Sequence, residues 1–305
     1  MVTPTFADLQ QAIERHARYD YVTPIDGLKV GRTDQPSEVG HSIYQPSFGV
    51  VARGVKELMV AEVAFRYAAG ESLVCAADVP VTSQVTEASP SACYLAIHLE
   101  IDPAVVADLL RERAGMRPKA DATFVACKHT LDPELYDPLI RLLALLDKPR
   151  DIAVMAPLIR REITWKLLQT EHGPLLSQLA FATGHAARIG RATAWIREHY
   201  MHMLNISALA DMASMSVPSF HRHFKAVTSM SPLQFQKRVR LQEARRGLSS
   251  ADSISSVAYG VGYESISQFN RDYRRLFKLT PSDDAATLRA TFSRDIGADL
   301  ETVLA

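Results

Sequence analysis

Apolar residues recur at two different periods along this chain of 305 residues, and the change of period divides it. Phe6, Leu9, Ile13 and Ala17 fall at helical spacing and predict a short leading helix over 5–18. From about residue 27 to 101 the period shortens to that of half-buried strands broken by turn residues. Segments 47–52 and 57–60 flank Arg53-Gly54 and predict a hairpin, and 63–67 runs into a turn at Ala69-Gly70. Segments 72–75, 80–85 and 92–101 continue the pattern. About seven short strands in ~75 residues fit a small barrel or jelly roll. Asp102-Pro103 then offers a cap with proline at the first helical position and opens a helix through Arg113. Two further helices, over 133–147 and 156–169, carry more apolar residues than a one-sided surface helix needs. They either cover the barrel or supply a dimer interface. Residues 171–186 read as a partly packed connection to an amphipathic helix over 188–200.

Beyond residue 200 one pattern occurs twice. Ala258 and Gly262 stand four apart and precede Phe269, Tyr273 and Phe277 at helical spacing. Ala210 and Ser214 likewise precede Phe220 and Phe224. A small residue lets two helices approach, and the fourth residue on takes the positive φ of the tight turn, where glycine is easier than serine. Glu264-Ser265 offers capping oxygens to the helix that follows. Each copy is a helix, a turn and a helix with a basic polar face, a device for laying a helix in the DNA major groove. The first copy's turn is one residue shorter. Between the copies, Ser231-Pro232 opens a helix of about 16 residues, ~24 Å long. With its attachments, such a rod can hold two recognition helices ~34 Å apart, one turn of DNA. Its Lys237, Arg238, Arg240, Arg245 and Arg246 are expected near the DNA backbone or in solvent.

Charge supports the division. The chain is balanced, 34 basic against 34 acidic residues. Residues 1–180 hold 18 Lys+Arg and 23 Asp+Glu, a net of −5, whereas 181–280 hold 14 and 6, a net of +8. A basic module behind an acidic one is the footprint of a DNA-binding domain joined to one with another task. Three widely spaced cysteines, Cys75, Cys93 and Cys127, read as buried or free thiols outside any metal or redox motif. The N-terminus lacks the apolar core of a signal peptide, and no apolar run is long enough to span a membrane. The expected location is the cytoplasm.

The stretch AYGVGYESISQFNRDYRRLFKLTP, from Ala258 to Pro281, resembles the AraC/XylS family of bacterial transcription regulators, and the likeness extends over about residues 185–285. It implies an all-α domain of seven helices that inserts two recognition helices into adjacent major grooves of promoter DNA, with RNA polymerase as a further partner. Carried over by position, Pro218, His221 and Arg222 would read bases from the first recognition helix, and Ile266, Ser267 and Arg271 from the second. Arginine can fork onto guanine O6 and N7, and Pro218 and Ile266 can meet thymine methyls. Lys225, Arg274 and Arg275 would hold phosphates, which fix register without reading sequence. Residues 44–60 and 66–110 resemble the family's cupin-like N-terminal domain. The expected architecture is therefore α+β in two domains. Residues 1–180 form a cupin-like β-barrel with following helices that senses an effector and dimerises. Residues 181–305 carry helix-turn-helix motifs at about 206–228 and 254–278.

Candidate chemistry in the first half is sparse. His41, His98 and His129 are isolated in the sequence, so neither a metal site nor a catalytic residue is expected, and no cofactor. Arg113 and Arg117 form R-x-x-x-R, and Gln35, Ser37 and Gly40 form Q-x-S-x-x-G. Together they resemble the two halves of the PilZ motif that binds cyclic di-GMP, with glutamine for Asp/Asn and the halves in reversed order. Paired arginines can fork onto phosphates and guanine edges. The expectation is a ligand-responsive, dimeric regulator, most simply an activator, with cyclic di-GMP as a candidate effector. Alternatives are an unrelated small molecule controlling a sugar, aromatic or stress operon, a cupin-type enzyme targeted by a DNA module, or a constitutive architectural protein.

Overall fold

Among the described residues nine strands form where the alternation predicts about seven. The computed structural model describes residues 3–289 except 61–62, 77, 113–125, 181–184, 229 and 249–252. The chain divides into two compact units, Met1–Val39 with Tyr44–Ala187, and Arg188–Ala305 with the short segment Gly40–Ile43.

The strands are β1 (Leu28–Thr33), β2 (Gly40–Tyr44), β3 (Ser47–Arg53), β4 (Val55–Val60), β5 (Val63–Ala68), β6 (Glu71–Cys75), β7 (Val79–Glu87), β8 (Tyr94–Glu100) and β9 (Ala126–Thr130). They build a five-stranded sheet in the order β1-β8-β3-β6-β9 and a four-stranded sheet in the order β2-β7-β4-β5. The hairpin expected at Arg53-Gly54 is instead a corner. β3 pairs with β6 and β8, whereas β4 pairs with β5 and β7, so the chain changes sheet at Gly54. Gly54 has φ 81°, and a Cβ there would lie 2.4 Å from the carbonyl oxygen of Glu87, so only glycine turns this corner without strain.

Alternation along each strand separates two cores. Leu95, Ile97 and Leu99 of β8 and Phe48, Val50 and Ala52 of β3 are buried with α1 (Phe6–His16), α2 (Pro103–Glu112), α3 (Tyr136–Ala144), α4 (Pro149–Leu167) and α5 (Gly173–Ala180). The intervening residues Gly49, Tyr94 and His98 face the four-stranded sheet: Tyr44 of β2 meets His98 edge-on at 5.0 Å, and a Cβ on Gly49 would lie 3.6 Å from the Tyr67 hydroxyl. Helix α1 starts on a capping box, Thr5 with Asp8, and α2 starts where the Asp102 carboxylate accepts from the Ala104 N–H. Leu139, Leu142 and Leu143 of α3 are fully buried in the core, each contributing about 1.5–3 kcal/mol. Helix α4 begins seven residues earlier than the pattern predicts and leaves Val154 (67%) and Leu158 (57%) in solvent. The expected connection at 171–186 contains α5, whose Leu175 and Leu176 join the core.

From residue 185 on, the described residues form helices α6 (His185–Glu198), α7 (Ile206–Met212), α8 (Val217–Thr228), α9 (Pro232–Gly247), α10 (Ile254–Gly260), α11 (Ile266–Phe277) and α12 (281–289), seven among the described residues, as the resemblance implied. Two small cores divide them. Phe220 and Phe224 of α8 pack with Ile189, Ile196, Leu209 and the first half of α9 through Phe235 and Val239. Phe269, Tyr273 and Phe277 of α11 pack with Val257, Tyr263 and the second half of α9 through Leu241, Ala244 and Leu248. The connecting helix α9 has the expected length, 16 residues, and starts on a Ser231–Gln234 capping box. Among the described residues no helix is long and apolar enough to cross a membrane.

Candidate functional site

The two helix-turn-helix copies share their turn conformation and the length of their second helix. Ser214 and Gly262 both adopt positive φ, 53° and 87°. α8 and α11 are each 12 residues long, and the turn before α8 is one residue shorter. The Ser265 side chain caps α11 by accepting from the Gln268 N–H. With Phe220 and Phe224 turned inward, Pro218, His221, Arg222 and Lys225 fall at i, i+3, i+4 and i+7 and are all exposed. On α11 the equivalent exposed line is Ser267, Asn270, Arg271 and Arg274, with Ile266 half-buried at its start and Arg275 beside it. Asn270, on the polar face the sequence predicts for this helix but given no base-reading role there, holds the place of His221. Ile266, Asn270, Arg271, Arg274 and Arg275 border a groove of about 670 Å³ closed by Thr280–Ser282. Two rows of side chains able to donate to base edges and phosphates thus stand on matching helices.

Most basic residues of α9 do other work, correcting the expectation that they lie free near a DNA backbone. Arg240 donates to the carbonyls of Tyr200, Met201 and Gly262, tying the two small cores together. Lys237 pairs with buried Asp272 at 3.0 Å, Arg245 with fully buried Asp284 at 2.8 Å, and Arg246 with Glu243 at 2.6 Å. Tyr273 donates to the same Asp284 at 2.7 Å, and burial together with that carboxylate pushes its phenol pKa up. The contacts of Lys237, Arg240 and Arg245 fix α11 against α9.

In the first unit the space between the sheets holds a polar cluster that the sequence reasoning missed. Lys56 of β4 donates to the Tyr44 hydroxyl at 2.9 Å, and Tyr67, Tyr94 and His98 surround the pair. Burial opposes the charge on Lys56, but the surrounding phenol oxygens outweigh it and hold its pKa well above the ordinary value. Burial, with Lys29 and Lys56 nearby, pulls His98 down to about 3, so it is neutral. Among the described residues no carboxylate pairs with Lys56, and the Tyr94 hydroxyl has no hydrogen-bond partner. The half-buried Lys56 ammonium and the unused Tyr94 hydroxyl are polar groups with hydrogen-bonding capacity left over.

The proposed cyclic di-GMP residues are only partly placed. Arg113 and Arg117 lie outside the described residues. Gln35 is exposed and Gly40 opens β2. The Ser37 hydroxyl accepts from the Val85 N–H and donates to the Glu38 carbonyl, both at 3.0 Å, so it serves the strand pairing.

Of the histidines isolated in sequence, one has ligand-type neighbours in space. The side chain of His41 lies outside the described residues, but His129 is isolated only in sequence. On β9, Cys127 and His129 share a face, and His172, in the turn before α5, comes over them so that one donor atom from each lies within 4.8 Å of the others. All three cysteines are free, as expected.

Residues 24–175 match the family model described as the AraC-type transcriptional regulator N-terminus, and residues 209–287 match that of a helix-turn-helix domain. Over 99 residues the chain is 32% identical to HTH-type transcriptional activator RhaS of Escherichia coli O1:K1 / APEC, and equally to that of the K12 / DH10B strain. The stretch is 32% of this chain and 36% of the relative, so the match spans about a third of the curated relatives' length. Among solved structures, ToxT from Vibrio cholerae O395 bound to (E)-4-(8-methylnaphthalen-1-yl)but-3-enoic acid aligns with a TM-score of 0.63 at 9% identity, over 86% of this chain and 98% of that one. Unsaturated fatty acid bound wild-type ToxT from strain SCE256 aligns with a TM-score of 0.60 at 9% identity, over 84% and 93%. At that identity the likeness is one of fold.

Proposed function

The chain belongs to the AraC/XylS family of DNA-binding transcription regulators, and from that premise we propose that it is a non-catalytic, ligand-responsive activator that reads promoter DNA with α8 and α11 and contacts RNA polymerase there. The observation that carries this reading is the pair of equivalent exposed rows on two helices with matching turns. Pro218, His221 and Arg222 on α8, and Ile266, Ser267 and Arg271 on α11, read bases. Arg222 and Arg271 fork onto guanines, each contributing about 1–3 kcal/mol of discrimination. Lys225, Arg274 and Arg275 hold phosphates. Measuring DNA affinity against salt concentration tests the division: Lys225→Ala weakens every sequence alike and reduces the salt slope by about 1, whereas Arg222→Ala relaxes preference at one position. Equal behaviour of the two variants contradicts the assignment.

The effector we propose is an apolar molecule with a carboxylate, seated between the two sheets with its charge on Lys56 and Tyr44. The Lys56 ammonium without a carboxylate partner and the Tyr94 hydroxyl without a hydrogen bond, both among the described residues, support this, and the ToxT structures carry ligands of that kind. Cyclic di-GMP on Gln35, Ser37, Gly40, Arg113 and Arg117 is the second reading, and the Ser37 hydroxyl's strand-pairing bonds favour the first. Calorimetry with an unsaturated fatty acid and with cyclic di-GMP separates them. The first reading expects binding of the fatty acid that Lys56→Met abolishes. Heat from cyclic di-GMP alone, lost in Arg113→Ala plus Arg117→Ala, establishes the second. Helix α4, with Val154, Met155 and Leu158 exposed on one stripe, is the face we assign to a homodimer.

A further inference from the structure

We propose that Cys127, His129 and His172 bind a single borderline transition-metal cation of the zinc class. This site is independent of DNA reading and of the anion receptor between the sheets. β9 is the edge strand of the five-stranded sheet, and its register places Cys127 opposite Val74 and His129 opposite Ser72, all on the helix-covered face. His172 descends on them from the α4–α5 turn, and its ring lies 4.8 Å from that of His129. Thiolate and imidazole are the donor types that select zinc over magnesium or calcium.

The hydrogen bonds around the cluster orient the rings as ligands. The Ser72 hydroxyl donates to the His129 carbonyl at 3.3 Å, so toward His172 Nε2, 2.9 Å away, it can only accept. That fixes the proton of neutral His172 on Nε2 and leaves the Nδ1 lone pair directed at Cys127 Sγ, 3.2 Å away. His129 Nδ1 is held by Glu171 at 2.6 Å, the carboxylate–histidine arrangement that typically backs a metal-bound imidazole. Each ring thus has one nitrogen committed to an oxygen partner, and the remaining nitrogen of His172 meets the Cys127 thiol, whose proton a cation would replace. The His129 side chain is 30% exposed and that of Glu171 78%, so an ion enters from solvent at the sheet edge. On binding, the Cys127 S–H bond breaks, its proton leaves to solvent, and the thiolate pair goes to the metal. Three protein donors leave one tetrahedral position for water or a small anion.

The test uses the full-length, tag-free protein, stripped with a chelator and titrated with Zn2+ against a chromophoric chelator and with Co2+ under anaerobic reduction. The expected result is one equivalent bound, about one proton released per ion, and a near-ultraviolet thiolate-to-cobalt band. Cys127→Ser and His172→Gln should each lower Zn2+ affinity more than about 100-fold, and Glu171→Gln about 10-fold. Cys127→Ser is nearly isosteric and keeps the fold, which circular dichroism checks. His129→Gln, at a partly exposed position, gives a second variant should His172→Gln fail to fold. No cobalt–thiolate band, or unchanged affinity in both Cys127→Ser and His129→Gln, overturns the proposal.

Discussion

Replacing Gly262 by alanine probes why the second helix-turn-helix needs glycine while the first does with serine. Gly262 has φ 87°, and a Cβ there would lie 2.6 Å from the Met201 carbonyl oxygen and 3.1 Å from the Arg240 guanidinium carbon. The left-handed backbone costs an L-residue about 1–2 kcal/mol. Pushing the Met201 backbone and the Arg240 fork aside adds about 1–3 kcal/mol of overpacking. Gly262→Ala should therefore destabilise the helical unit by about 2–5 kcal/mol. Ser214 has the same sign of φ, 53°, with an exposed side chain. Ser214→Gly relieves the backbone penalty of about 1–2 kcal/mol but adds about 0.5–1 kcal/mol of chain entropy, leaving it between neutral and about 1.5 kcal/mol stabilising. Urea titration can be read from Trp195 in the Trp165→Phe background, because the two tryptophans lie in different units and Trp195 stacks on His199 at 4.3 Å. A Gly262→Ala loss below about 1 kcal/mol would refute the reasoning.

Asp284→Ala leaves Arg245 and the Tyr273 hydroxyl facing an empty buried site and should cost about 3–5 kcal/mol in the same assay, whereas Lys225→Ala should change stability little. Stability of the first unit should fall with acid. His98 stays neutral down to about pH 3 when folded but protonates near pH 6.5 when unfolded, so the unfolded state binds more protons between those values. The loss, up to about 1.4 kcal/mol per pH unit below 6.5, should flatten in His98→Gln, with Trp165 fluorescence as the readout. Leu158→Glu on α4 should shift the sedimentation profile from dimer to monomer, and an unchanged profile would move the interface elsewhere.

How far the sequence reached depended on whether the relevant spacing was local. The second unit was legible almost residue by residue because turn, cap and recognition face all lie within one helical pair: Ala258, Gly262, Ser265 and Arg271 span 14 residues. Pairing between strands was not legible. Nothing in Arg53-Gly54 distinguishes a hairpin from a corner between sheets, since both need a positive φ at glycine. The Lys56 cluster draws Tyr44, Tyr67 and Tyr94 from three other strands, so it exists only once the sheets are stacked. The Cys127-Lys-His129 pattern was a readable half-site, two ligand types on one strand face, but its third member comes from a turn 43 residues after His129. The role of α9 was misjudged because Asp272 and Asp284, which engage Lys237 and Arg245, lie on other helices.

The central claim is that α8 and α11 both read DNA, at separate positions. Selection of bound duplexes from a randomised pool by the parent protein, Arg222→Ala and Arg271→Ala tests it most directly. The account predicts that each variant loses preference at one base position, and that the two positions lie about 10 base pairs apart. Loss at the same position in both variants, or retention of the full preference by either, would contradict it.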